Sequence, residues 1–148
     1  MRPILISLAL MLVVVSRSFV AQDRQVLHGP GEVRGLPFSS AVRVGRMLYL
    51  SGQIGNVPGT RQLADTGIAG QTRQALENIK GVLASAGSSL DRAVKCTVFL
   101  ADIKDYGAMN TVYATYFPKD PPHAPRWPGA GSRWARGWEI ECLAVASP

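Results

Sequence analysis

The stretch that most constrains what this chain can fold into is residues 93–117, AVKCTVFLADIKDYGAMNTVYATYF. Val94, Cys96, Val98 and Leu100 alternate with Lys95, Thr97 and Phe99. A period of two rich in β-branched residues predicts a strand buried on one face or both. The period then changes. Asp102 is placed to cap a helix, with Asp105 three residues on as the acidic member of a capping-box-like pair. Tyr106, Met109, Val112, Tyr113, Tyr116 and Phe117 follow at helical spacing, which lays an apolar helix face back on the sheet. Pro118, Pro121 and Pro122 then end the helix.

The flanking segments supply partners for this unit. Val26 and Leu27 hint at a first strand in an otherwise polar, Gly-rich stretch. Residues 41–45 and 47–54 read as two strands joined around Gly45-Arg46, a short hairpin signal. Residues 56–67, with two Gly and a Pro, read as a loop. Residues 71–86 predict the first helix, with Ala75, Ile79, Val82 and Ala86 in one stripe and Leu76 and Leu83 beside it. Gly87 stands where a left-handed carboxyl-terminal cap belongs. Trp138, Ile140, Cys142 and Ala144 alternate with Glu139, Glu141, Leu143 and Val145 in a final strand. Ala135-Arg136-Gly137 makes a tight turn before it, so residues 126–134 are expected as its antiparallel partner. Pro128, Gly129 and Gly131 make that partner a poor strand, tolerable at an edge or bulge. The order is that of an α+β layer, two helices on one face of a mixed sheet. Two helices leave the other face, with Phe99 and Thr97, open to solvent. An apolar face of that kind marks an interface, so a symmetric oligomer with sites where subunits meet is expected.

Residues 1–21 stand apart from the fold. Arg2 gives a positive start, residues 4–15 are apolar apart from Ser7, and small residues follow. That is the pattern of a secretory signal, which implies a periplasmic or secreted protein and a single domain over residues 22–148. The apolar run falls short of the roughly 20 residues a membrane span needs; an uncleaved anchor is the other reading. The formal charge of the whole chain is +6. Removal of residues 1–21 takes Arg2 and Arg17 and leaves 14 basic against 10 acidic residues, a balance of +4. With no Lys/Arg run, this basic excess is a scattered surface, and no nucleic-acid partner is expected.

No metal constellation is present, since His28 and His123 stand alone without HExxH or CxxC spacing. Nor is there a phosphate-binding glycine motif or a GxSxG elbow. Cys96 and Cys142 both fall in expected strands and are open to three readings: free and buried, disulfide-bonded, or nucleophilic. Arg126 follows a proline run and begins the irregular strand; an arginine there can bind a carboxylate bidentately. Glu139 and Glu141 share one face of the final strand, as solvated charges or with one lining a pocket as acid, base or water-holder.

Several linked motifs resemble one family. Leu36-Pro37-Phe38-Ser39-Ser40-Ala41-Val42 and Leu50-Ser51-Gly52-Gln53-Ile54 are similar to the amino-terminal signatures of the YjgF/YER057c/UK114 family, now called RidA. Gln71-Thr72-Arg73-Gln74-Ala75-Leu76-Glu77-Asn78-Ile79 resembles its first helix. Cys96 to Asp102, with Asn110, Tyr113 and Phe117, resembles its central strand and second helix, and Glu139 to Ala146 its closing strand. The likeness runs from about Val26 onward.

The resemblance implies a chorismate-mutase-like α+β fold assembled as a homotrimer with a cleft at each subunit boundary. It implies hydrolysis of reactive 2-imino acids to 2-keto acids and ammonia without a cofactor, the partner being a small 2-imino or 2-keto acid. A non-catalytic carboxylate-binding member, or one with an RNA- or protein-interaction role, is the alternative. By resemblance Arg126 is the carboxylate-binding arginine, if the hairpin turn before Glu139 is two residues short, and Glu139 is the glutamate associated with the attacking water. Gly52 matches a main-chain position beside the ligand, and Asn110 an asparagine of the site region. Phe38 stands where deaminating members carry tyrosine. Pro128 stands where the family uses a cysteine whose backbone N–H meets the carboxylate, and proline has no such donor.

Overall fold

In the computed structural model the described residues are 23–64, 67–124, 126–128 and 138–148, with residues 126–128 described by their backbone. The segment expected to direct export, residues 1–21, and the turn expected at residues 135–137 lie outside them. Six strands form one sheet: β1 (Arg24–Leu27), β2 (Ala41–Val44), β3 (Met47–Leu50), β4 (Ala93–Leu100), β5 (Arg126–Pro128) and β6 (Trp138–Val145). Their order across the sheet is β1-β2-β3-β6-β4-β5. Among the described residues two α-helices, α1 (Ile68–Ser85) and α2 (Tyr106–Tyr116), accompany the sheet.

The two-residue period of β4 and β6 builds the core. Val98, Leu100, Trp138, Ile140, Ala144 and both cysteines are buried on the face that meets Leu76, Ile79 and Leu83 of α1 and Met109 and Tyr113 of α2. Each Val, Leu, Ile or Met among them taken fully out of water contributes about 1.5–3 kcal/mol. The stripe expected on the first helix is the stripe that is buried. The helix starts earlier than its periodicity indicates, at Ile68, and ends where expected. Ser88 N–H donates to Leu83 O at 2.8 Å and Gly87 N–H to Ala84 O at 3.1 Å. Gly87 has φ of 70°, the left-handed conformation that a Cβ disfavours. Asp102 caps as expected, but what it caps is a 3₁₀ turn, Ile103–Asp105: its side chain accepts from Lys104 N–H at 2.9 Å. The α-helix proper follows at Tyr106, and Asp105 makes no side-chain cap.

Two expectations need correction. The segment at residue 126 does not pair with the final strand. β6 has both edges occupied, by β3 and β4, each antiparallel. The segment therefore runs parallel along the outer edge of β4, with Val98 opposite Arg126 and Leu100 opposite Pro128. This pairing starts at His123, whose N–H donates to Val94 O at 3.1 Å and whose carbonyl accepts from Cys96 N–H at 2.9 Å. A proline without an N–H is tolerated on such an edge. Further, the strand expected over residues 47–54 stops at Leu50; beyond it only Gln53 rejoins the sheet, as an isolated bridge to Ile140.

The second face of the sheet is left uncovered by the helices. Register places Val26, Val42, Tyr49 and Leu143 in one row across four strands. Val26 and Tyr49 are 41% and 46% exposed, whereas Thr97, on the same face, is buried.

Cys96 and Cys142 sit directly opposite each other in the β4–β6 ladder and form a disulfide, with Cα atoms 4.1 Å apart. The spacing is that of a non-hydrogen-bonded antiparallel pair. The bond closes a loop with a sequence separation of 46, for which chain entropy alone gives about 4 kcal/mol. Thiol titration of the unreduced, unfolded protein is expected to find no free cysteine, and reduction to lower the unfolding midpoint. Two titratable thiols before reduction would contradict the pairing.

Candidate functional site

The site is built where the chain leaves β3. Ser51 N–H donates to Ser40 O at 3.0 Å and its hydroxyl donates to Ser39 O at 2.6 Å, which holds the exit against the start of β2. Gln53 N–H then donates to Ile140 O at 2.8 Å, and Ile140 N–H returns to Gln53 O at 3.0 Å. Gly52, between these two clamps, lies directly under the carboxylate of Glu139. A Cβ at Gly52 would overlap the Glu139 Oε1, Cδ and Cγ atoms. Glycine here leaves room for the Glu139 carboxylate, which would have to swing aside for any Cβ; its backbone angles do not demand it.

Glu139 is half-buried on the odd face of β6. Its pKa is raised, first by loss of water around the carboxylate and then by the negative charge of Glu141 on the same face. Its neighbour Trp138 points the other way, 2% exposed, and donates its indole N–H to Gln71 Oε1 at 3.1 Å. Gln71, in the first turn of α1, is itself 8% exposed. This bond ties the first turn of α1 to the residue next to Glu139.

The opposite wall is a pinned loop. Asn78 on α1 donates through Nδ2 to Ile54 O and Asn56 O at 3.2 and 3.0 Å, and accepts from Gln74 Nε2 at 2.9 Å. Asn56 and Leu63 form a bridge, and Gly59 N–H donates to Gly31 O at 2.7 Å, joining this loop to the segment before β2. That segment is held by Ser40, whose hydroxyl donates to Glu32 Oε2 at 3.1 Å while accepting from Gly29 N–H at 2.9 Å. His28 Nδ1 meets the same Glu32 oxygen at 2.7 Å.

Together these elements enclose a cleft of about 660 Å³. Three residues singled out in the sequence, Phe38, Gly52 and Glu139, line it together. Phe38 is 48% exposed, its ring at the open side. Asn110 is exposed on α2 and does not line the cleft. Arg126 is placed by its backbone, on the sheet edge opposite Val98; its side chain lies outside what the structure describes. Sequence reasoning missed Gln71, Trp138, Asn78 and Arg61, all of which line the cleft. Only the polarity of Gln71 and Asn78 on the inner side of an otherwise apolar helix could have marked them.

Comparison with known proteins finds relatives for the whole fold. The family model described as Endoribonuclease L-PSP matches residues 34–147. A Mus musculus protein named 2-iminobutanoate/2-iminopropanoate deaminase is 39% identical over 112 residues, covering 76% of this chain and 83% of its own. The crystal structure of yeast Mmf1 is 30% identical with a TM-score of 0.78, over 84% of this chain and all of that one. That of E. coli TdcF with bound serine is 30% identical with a TM-score of 0.73, over 83% of this chain and 99% of the other. Matched by one family model over most of its length, and folded as these structures are, the chain belongs to the Endoribonuclease L-PSP family, the RidA/YjgF family.

Proposed function

We propose that the protein is a RidA-type imine deaminase, hydrolysing reactive 2-imino acids to 2-oxo acids and ammonia. The observation that carries this reading is the Glu139 carboxylate held over Gly52 inside a cleft, in a chain 39% identical to a protein named for that reaction. In this reading Arg126 takes the substrate carboxylate and Glu139 holds a water molecule. Glu139 accepts a proton as the water oxygen attacks the imine carbon. It returns that proton to the imine nitrogen, giving a carbinolamine, and then carries the hydroxyl proton to the same nitrogen as the C=O bond forms, the C–N bond breaks and ammonia leaves. The imine carbon is already electrophilic, so orientation and charge placement are what the protein must supply.

Two residues shape the substrate preference. Phe38 gives the cleft an aromatic wall without a hydroxyl, and Pro128 gives the carboxylate no backbone donor, a loss of about 1.5–3 kcal/mol if nothing replaces it. These departures favour a second reading, a small-carboxylate binder without turnover. Both readings include a homotrimer, supported by the uncovered apolar row on the sheet. An assembly in which a neighbour's α2 borders the cleft would also give Asn110 a place beside the ligand. Both include export of residues 22–148, for which the amino-terminal pattern speaks and with which the cysteine pair is compatible.

Arg126→Ala is expected to lower kcat/KM for 2-iminobutanoate by about a hundredfold, measured as 2-oxobutanoate released by the purified protein. Equal rates for the two would remove the deaminase reading, and 2-oxo acid binding with no turnover by either would establish the binder. Because Glu139 acts as its carboxylate, activity should fall as pH drops through its raised pKa, with the midpoint above the ordinary glutamate value of about 4.3. Glu141→Gln removes the neighbouring charge and should shift that midpoint to lower pH. A Glu139→Gln variant that kept its activity and the same acid limb would show that Glu139 is not the titrating group. Sedimentation of the 22–148 protein should give three chain masses; a monomer would overturn the trimer.

A further inference from the structure

The cleft has a second polar wall that the deaminase reading does not use. Gln71 lines it and is almost wholly buried. An indole is a donor only, so the Trp138 N–H fixes which end of the Gln71 amide faces it: Oε1 toward Trp138, Nε2 away. The Nε2 group has no other partner among the described residues. Among those residues only Tyr113 Oη is both fully enclosed and without a hydrogen bond. The Gln71 donors therefore open on the cleft, and a bound acceptor would spare them the cost of an unmade hydrogen bond.

Arg61 lines the same cleft, on the loop that Asn78 and Gly31 pin. Val57 N–H donates to Gln62 O at 2.8 Å and Asn56 Nδ2 to Thr60 O at 2.8 Å, so the backbone around Arg61 is fixed on both sides. No carboxylate among the described residues lies within ion-pair distance of its guanidinium. Glu32 also lines the cleft, but its carboxylate is occupied by Ser40 Oγ and His28 Nδ1. A fixed amide donor and an unpaired guanidinium in one cleft are complementary to a carboxylate. The cleft is also far larger than a four-carbon acid requires.

We propose that Gln71 and Arg61 form a second anchoring point that reads a carboxylate on the substrate side chain, so that the preferred substrates are 2-imino dicarboxylic acids. The inference rests on the deaminase reading for the reaction and goes beyond it in naming the substrate class. Glu139 lines the same cleft as Gln71 and Arg61, so a substrate whose reacting carbon lies beside Glu139 can extend its distal acid toward α1.

The test uses the oxo-acid products as binding probes, so that it does not depend on turnover. Calorimetry on the full domain should find 2-oxoglutarate bound at least tenfold more tightly than 2-oxobutanoate or 4-methyl-2-oxopentanoate. Gln71→Glu keeps an oxygen for Trp138 to donate to, so the indole fluorescence should stay native while the 2-oxoglutarate preference drops about tenfold. Arg61→Met, on an exposed loop, should reduce the same ratio by a similar factor. The kcat/KM ratio for the corresponding imines should move in parallel. Equal affinities in the wild type, a preference for the branched apolar acid, or a ratio unmoved by both variants would overturn the proposal. A preference for 2-oxoglutarate with no hydrolysis of any imine would remove the deaminase reading and leave the second anchor standing.

Discussion

The antiparallel pairing of β4 with β6 is the constraint on which the rest of the molecule depends. It runs from Ala93 opposite Ala144 to Leu100 opposite Trp138, with the Cys96–Cys142 bond inside it. Every even-numbered residue of β6 from 138 to 144, and Ala146 just beyond it, is buried beneath the helices, and every odd one up to 145 faces the other way. A slip of one residue would exchange Glu139 and Trp138, sending a carboxylate into the core. The ladder therefore fixes the fold and the position of the charged group in one step.

The site is assembled from segments that would be loops elsewhere, and each is tied to a rigid element. Residues 51–53 are clamped between β2 and β6, residues 54–56 are fastened to α1 through Asn78, and the turn at Gly59 is fastened to Gly31. A half-buried carboxylate is costly to hold in place. Here the surrounding backbone bonds carry the positioning, and among the described residues the side chain has no ion-pair partner.

How much of this was legible depended on whether the physics was local. The strand and helix over residues 93–117 declare themselves through a change of period, and Gly87 through a chirality that only glycine adopts cheaply. The edge strand declared its start at Arg126 and its place at an edge, but not its partner. Three residues containing a proline carry no periodicity, and the direction in which they pair was decided by which sheet edges were already occupied. The strand expected to reach Ile54 failed because its last residues give up the ladder to bring Gly52 against Glu139. For the site, Glu139 could be read as a pocket or surface carboxylate from alternation alone, and Phe38 and Gly52 came from family likeness. Gln71, Asn78 and Trp138 act through contacts far along the chain, and nothing in their own neighbourhoods announces that.

The contact of Gly52 with Glu139 has a meaning beyond this one molecule. The dependence runs one way: any side chain at 52 evicts the carboxylate from its place, whereas a shorter residue at 139 leaves the glycine undisturbed and only removes the demand for it. A carboxylate at this spot therefore presupposes glycine beneath it. A member of the fold with a side chain in place of that glycine cannot seat its acid here, even if the acidic residue is retained.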